Sequence, residues 1–134
     1  MSNKRYINLN GFLYEEEEKV FTIKNRAWRY GDGLFETIRV IDGEPCFLED
    51  HFLRLKKGIE VLKMHSSNIS FNDIKNQIIK LLEKNGIHRG GRVRLTVYRS
   101  GEGLFTPENE GKSYVIEAKP IQYNGYTMNE KGLN

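Results

Sequence analysis

Between residues 34 and 41 the chain alternates, with Leu34, Glu36, Ile38 and Val40 on one side and Phe35, Thr37, Arg39 and Ile41 on the other. That is the two-residue period of a strand. Asp42-Gly43 follows, two residues that both tolerate positive φ, so a tight hairpin is expected with residues 44–48 returning as the partner strand. A second clean alternation runs over residues 92–98, setting Arg92, Arg94, Thr96 and Tyr98 against Val93, Leu95 and Val97. Shorter strand patterns lie at residues 6–10, with 12–14 as their continuation past Gly11, at 20–23, and at 114–118 ahead of Pro120.

Two stretches change to helical spacing. Phe52, Leu55, Ile59 and Leu62 recur after Asp50, an expected N-cap, and Ile74, Ile78, Leu81 and Leu82 recur after Ser70. Ser70 with Asp73 resembles a capping box in which Asp replaces Glu, and Lys84-Asn85-Gly86 is a helix stop. Two amphipathic helices laid on one face of a mostly antiparallel sheet make an α+β domain over residues 1–121, with the other sheet face left to meet something else. The polar residues 122–134, with Gly125 and Gly132, are expected to begin a linker to a second domain.

At 134 residues the chain holds one core, and 38% hydrophobic with 29% charged residues is a globular composition. No apolar run reaches the roughly 20 residues of a membrane span and the first ten residues carry no signal-peptide pattern, so a cytoplasmic protein is expected. The net charge of +3 is scattered rather than striped with aromatics, which argues against nucleic acid as the partner. A single cysteine, Cys46, allows no internal disulfide and no cysteine metal site; following Pro45 in an apolar strand, it is expected to be a small buried side chain. The glutamates 15–18 are expected to form a solvated loop.

Three parts of the chain carry candidate chemistry. Glu36 interrupts an apolar strand face and, if buried, needs a cation or a hydrogen-bond donor, most simply an arginine. Arg54 sits early in a helix, where a cation opposes the macrodipole unless an anion compensates it; its neighbour in the pattern, His51, is expected to orient or pack this corner. Arg92, Arg94, Thr96 and Tyr98 place cations, a hydroxyl and a phenol on one sheet face, either a solvated surface or one wall of a site.

The run Tyr30-Gly31-Asp32-Gly33-Leu34-Phe35-Glu36-Thr37-Ile38-Arg39, the pattern His51-x-x-Arg54-Leu55, and Arg94-Leu95-Thr96-Val97-Tyr98-Arg99 together resemble the class IV aminotransferases of pyridoxal-phosphate fold type IV. That family includes branched-chain and D-amino-acid aminotransferases and 4-amino-4-deoxychorismate lyase. The resemblance extends from Tyr6 to about Ile121 and covers only the family's small N-terminal domain. It implies pyridoxal 5′-phosphate as cofactor, with Arg54 on its phosphate. It also implies a substrate wall made of Tyr30, Phe35, Thr37, Arg39, Arg94, Tyr98 and Arg99, with Arg94 favoured over Arg99 for the substrate carboxylate. No lysine here matches the family's Schiff-base lysine, which belongs to the second domain, so this chain by itself is expected to be inactive and to hold no catalytic residue.

The activity implied for the complete protein is transfer of an amino group between an amino acid and a 2-oxo acid. Arg94 favours the branched-chain type, and family members act as homodimers. Thr37 is familiar from the lyases, which makes 4-amino-4-deoxychorismate lyase the alternative. A third reading is a truncated, non-catalytic module that binds anions or a partner through the exposed sheet face.

Overall fold

The computed structural model describes residues 4–16, 33–61, 69–98 and 114–122. They form six strands, β1 (Tyr6–Leu9), β2 (Phe12–Glu15), β3 (Gly33–Ile41), β4 (Glu44–Pro45), β5 (Gly91–Tyr98) and β6 (Tyr114–Pro120), and two helices, α1 (Leu48–Val61) and α2 (Phe71–Lys84). The strands make one sheet in the order β2-β1-β6-β5-β3-β4, and every pairing in it is antiparallel. Both helices pack on one face, so the fold is the expected α+β domain. No helix among the described residues is long and apolar enough to cross a membrane.

The alternations settle which face is covered. Ile38 and Val40 of β3, Val93, Leu95 and Val97 of β5, and Ile116 and Ala118 of β6 meet Phe52, Leu55 and Ile59 of α1 and Ile74, Ile78, Leu81 and Leu82 of α2 in one continuous core. Phe52 and Phe71 close the gap between the helices edge to face, with ring centroids 5.4 Å apart. Burying each aliphatic side chain contributes about 1.5–3 kcal/mol before the entropy of ordering it is counted. On the opposite face Ile7 and Val115 are also buried, while Phe35 is exposed, so that face is covered towards β1 and open towards β3.

Helix α2 begins and ends as its signals predict. Ser70 is the N-cap, its hydroxyl accepting from the Asp73 N–H at 3.1 Å. At the other end Gly86, at φ +69°, donates to the Glu83 carbonyl and Ile87 donates to the Leu82 carbonyl, the paired bonds of a Schellman stop. Asn85 does more than end the helix. Its Oδ1 accepts from the Tyr6 N–H at 2.7 Å, and its Nδ2 donates to the carbonyls of Tyr6 at 3.0 Å and Ala118 at 3.3 Å. The β1–β6 ladder pairs only Asn8 with Ile116 and Leu9 with Val115, and the Asn85 amide bridges the two strands where they part.

Several local expectations are corrected. Phe12 does not continue β1: Asn10 and Gly11, at φ 55° and 98°, fold the chain back into a β1–β2 hairpin, with Asn8 Oδ1 accepting from the Gly11 N–H. The Asn-Gly pair carried that signal in the sequence. Glu15 belongs to β2 and pairs with Lys4 at 3.1 Å rather than lying in a solvated loop. The strand expected over residues 44–48 is only Glu44–Pro45. Phe47, at φ 55°, turns the chain, so α1 starts at Leu48 and Asp50 lies in its first turn beside Glu49. Both carboxylates favour that position through the helix dipole, which is why Asp50 resembled a cap. Cys46 is in this turn, partly exposed, not in an apolar strand. The last strand runs on to Pro120. The expected strand at 20–23, Leu62 and the linker at 123–134 lie outside the described residues.

Candidate active-site wall

Glu36 and Arg54 find each other across the β3–α1 contact. Glu36 points to the helix-covered side of β3 and is only 9% exposed. Arg54 approaches it side-on, Nε donating to Oε2 at 3.1 Å and Nη2 donating to Oε1 at 2.9 Å. His51, one turn earlier on α1, completes the carboxylate with Nδ1 at 2.6 Å from Oε1. An ionised carboxylate only accepts, so Nδ1 carries the proton in this bond. Burial pushes the Glu36 carboxyl up, but the hydrogen bonds and charges of Arg54 and His51 outweigh it and hold the group below its ordinary value.

The anion that compensates an early-helix arginine is therefore Glu36 in the first place. The arrangement still leaves Arg54 able to hold more: its side chain is 70% exposed, and the Nη1 donors and one N–H of Nη2 are not used on Glu36. A guanidinium clamped through one edge presents the rest of its fork in a fixed direction, the donor set a phosphate oxygen needs. Because Glu36 cancels the local charge, attraction for such a group comes from directed N–H bonds more than from net charge. The Arg54 corner fits a phosphate on these grounds.

The other expected residues lie on the opposite side of the sheet. Phe35, Thr37 and Arg39 of β3 alternate with Glu36, and the β3–β5 register sets Phe35 opposite Thr96, Thr37 opposite Arg94 and Arg39 opposite Arg92. Arg94 stacks over the Phe35 ring, its guanidinium carbon 4.1 Å from the centroid, and both side chains are exposed. Tyr98 stands opposite Gly33 at the same end of the sheet, but only its backbone is described. Tyr30 and Arg99 lie outside the described residues. The structure thus gathers Phe35, Thr37, Arg39 and Arg94 on one face and keeps Arg54 on the other.

Those two faces meet at the edge of β3. Strand β4 pairs only with Val40 and Ile41, so among the described residues the 33–38 stretch of β3 has a neighbour on its β5 side alone. Glu36 and Arg54 lie on one side of this edge, Phe35 and Thr37 on the other. Three residues outside the expected site now belong to the arrangement, Glu36, His51 and Arg92. Glu36 was legible as a buried acid in need of a partner, and Arg92 as a member of the polar face, but neither pattern said what it stood opposite.

The fold agrees with that of known proteins. Residues 33–133 match the family Amino-transferase class IV. The chain is 35% identical to the aminodeoxychorismate lyase of Bacillus subtilis, covering 91% of this chain and 45% of that protein. It is 33% identical to the D-alanine aminotransferase of Bacillus licheniformis, covering 87% and 43%. Among solved structures it resembles the branched-chain aminotransferase of the archaeon Thermoproteus uzoniensis with norvaline, at TM-score 0.66 and 22% identity over 90% of this chain and 41% of that one. A second likeness is the branched-chain enzyme of Escherichia coli, at TM-score 0.69 and 21% identity over 88% of this chain and 41% of that one. These structural likenesses show a shared fold. The chain belongs to the class IV aminotransferase family, and it spans less than half the length of these relatives.

Proposed function

We propose that this chain forms one wall of a pyridoxal 5′-phosphate-dependent enzyme that transfers an amino group between an amino acid and a 2-oxo acid. The observation that carries the reading is the side-on clamp of Glu36 and His51 on Arg54, which aims unused guanidinium donors outward at the edge of β3. Arg54 is assigned to the cofactor phosphate. Round the same edge, Phe35, Thr37 and Arg39 shape the pocket, and Arg94 with Tyr30 holds the substrate; Tyr98 and Arg99 are assigned to that wall with them. When bound, the cofactor supplies an electron sink for the amino-bearing carbon. This chain's share is to bind, orient and exclude water, while the Schiff-base lysine is assigned to a second domain joined through residues 122–134. The partners under this reading are the amino-acid and 2-oxo-acid pair, that lysine-bearing domain and a second copy of the protein.

The resemblance of Arg94 to the arginine of the branched-chain enzymes favours a branched-chain type of transamination. A lyase reading is favoured by a different observation: the 35% identical relative is an aminodeoxychorismate lyase, and Thr37 is exposed on the substrate face. The protein in the full length its gene encodes separates the two. Supplied with pyridoxal 5′-phosphate, an aminotransferase forms glutamate from 2-oxoglutarate and an amino-acid donor, whereas the lyase releases pyruvate and p-aminobenzoate from 4-amino-4-deoxychorismate. Arg54→Gln is expected to raise the concentration of cofactor needed for either activity. Full activity of Arg54→Gln at the wild-type cofactor concentration would overturn the assignment of Arg54, and absence of both reactions would leave the anion-binding module.

A further inference from the structure

Asparagine followed by glycine is the least hindered setting for spontaneous deamidation, because glycine places no side chain between its own nitrogen and the asparagine Cγ. The chain has this pair at Asn10-Gly11, Asn85-Gly86 and Asn124-Gly125, the last outside the described residues. The fold uses the other two differently. Asn10 contributes its Oδ1, which accepts from the Tyr114 N–H at 2.8 Å, and an aspartate in its place still accepts that bond. Asn85 uses both ends of its amide: Oδ1 accepts from the Tyr6 N–H, and Nδ2 donates to the Tyr6 and Ala118 carbonyls. An aspartate there turns the donor into an oxygen facing two other oxygens. The Gly86 nitrogen, the nucleophile of the reaction, is also engaged, its N–H donating to the Glu83 carbonyl at 3.1 Å.

We propose that Asn85 is a deamidation site gated by the docking of β1: it is locked while Tyr6 and Ala118 hold its amide, converts when β1 lifts away, and then no longer fastens β1. In the reaction the Gly86 nitrogen gives its proton to a solvent base and bonds to Asn85 Cγ. Nδ2 leaves as ammonia, and one water opens the resulting succinimide to aspartate or isoaspartate. No electrons change hands, and water is the only co-reactant. In the closed fold the side chain is tied to β1 and β6 and the nucleophile to its own helix, so the first step waits for an opening. Strand β1 is the element that can let go. Its ladder to β6 pairs only Asn8 and Leu9, whereas β5 pairs with β6 from Gly91 to Val97, and local opening begins where few contacts hold. Closing is disfavoured afterwards: the new oxygen meets the Tyr6 and Ala118 carbonyls, and its charge sits at the negative end of the α2 macrodipole.

The test follows the 134-residue chain by peptide mass mapping during incubation at mildly alkaline pH, folded and in concentrated urea. Asn85 is expected to deamidate about tenfold or more slowly in the folded chain than in the unfolded one. Ile7→Ala, which loosens the buried side of β1, is expected to restore much of the unfolded rate. Val97→Ala in β5, compared at a denaturant concentration that equalises the two urea stabilities, is expected not to. Equal rates in the folded and unfolded chain overturn the proposal, and equal acceleration by the two substitutions overturns it by making global unfolding the gate. The product is tested separately. In Asn85→Asp, and in the deamidated fraction separated by charge from aged wild-type protein, amide exchange at Tyr6 is expected to accelerate about tenfold while β5 stays protected. Asn10→Asp is expected to leave exchange at Tyr114 unchanged. Wild-type protection of Tyr6 in the deamidated fraction overturns the claim that the product no longer fastens β1.

Discussion

Glu36 is the residue on which the helix side of the site turns. It holds Arg54 through three bonds, two of them shared by Nε, and His51 through one, and its carboxyl is kept below the ordinary value by these partners against the effect of burial. A depressed folded value means that the charged form contributes stability above the unfolded value of about 4.3, and that this contribution is lost as pH falls through the folded value. Glu36→Gln is therefore expected to cost about 1 kcal/mol at pH 7, a modest figure because solvent around Arg54 screens its share. The gap between wild type and variant should close as pH falls below about 4.3. Urea midpoints of both proteins from pH 7 to pH 3 check this, and a gap that stays constant would show that the carboxylate charge is not its source. The need for a partner was readable in the chain as a lone acid on an apolar strand face. That two partners converge on it from one helix turn was not, because eighteen residues separate Glu36 from Arg54.

At the scale of elements, close approach matters more than propensity. Gly58 lies in α1 and Gly91 opens β5, and neither needs a positive φ. A Cβ on Gly58 would come within 2.9 Å of Leu34 Cδ1, the far end of a flexible side chain. On Gly91 it would meet the backbone carbonyl of Lys119 at 2.9 Å as well as Ile87 Cγ2 at 2.8 Å. Leu34 can move, and the helix gains up to about 1 kcal/mol from replacing glycine by alanine, so Gly58→Ala should be close to neutral. Gly91→Ala has to push β6 away from β5 and should cost about 1–3 kcal/mol. Thermal unfolding of the two variants side by side checks the contrast, and equal effects would contradict it. The element boundaries were legible where a signal is local, as at Ser70 and Gly86. They were misread where a single backbone angle decides, as at Phe47, whose positive φ no composition announces.

The whole molecule is tied at Asn85. One side chain ends α2, fastens β1 and caps the place where β1 leaves β6, connecting positions 79 and 33 residues away. Asn85→Ala leaves the Tyr6 N–H and the Tyr6 and Ala118 carbonyls without these bonds and is expected to cost about 1–3 kcal/mol. Amide exchange at Tyr6 should accelerate more than exchange within β5. Unchanged protection at Tyr6 would show that the β1–β2 hairpin is held by its other contacts alone. The N-terminal hairpin that these bonds fasten sits at the far end of the sheet from β3 and the Arg54 corner.

The periodicities of the chain were enough to establish the α+β class, the covered and open faces of β3 and β5, and the core positions of both helices, because a two- or 3.6-residue period sorts side chains before any tertiary contact forms. The motifs at Tyr30, His51 and Arg94 were enough to point to the family. Tertiary structure alone decided that Arg54 and the Phe35, Thr37, Arg39 and Arg94 group, on opposite faces, meet at an open edge of the sheet. It also decided that Arg39, Arg92 and Lys119 form a single rung. Both are matters of strand order and register between segments far apart in sequence, and local patterning does not encode which strand becomes whose neighbour.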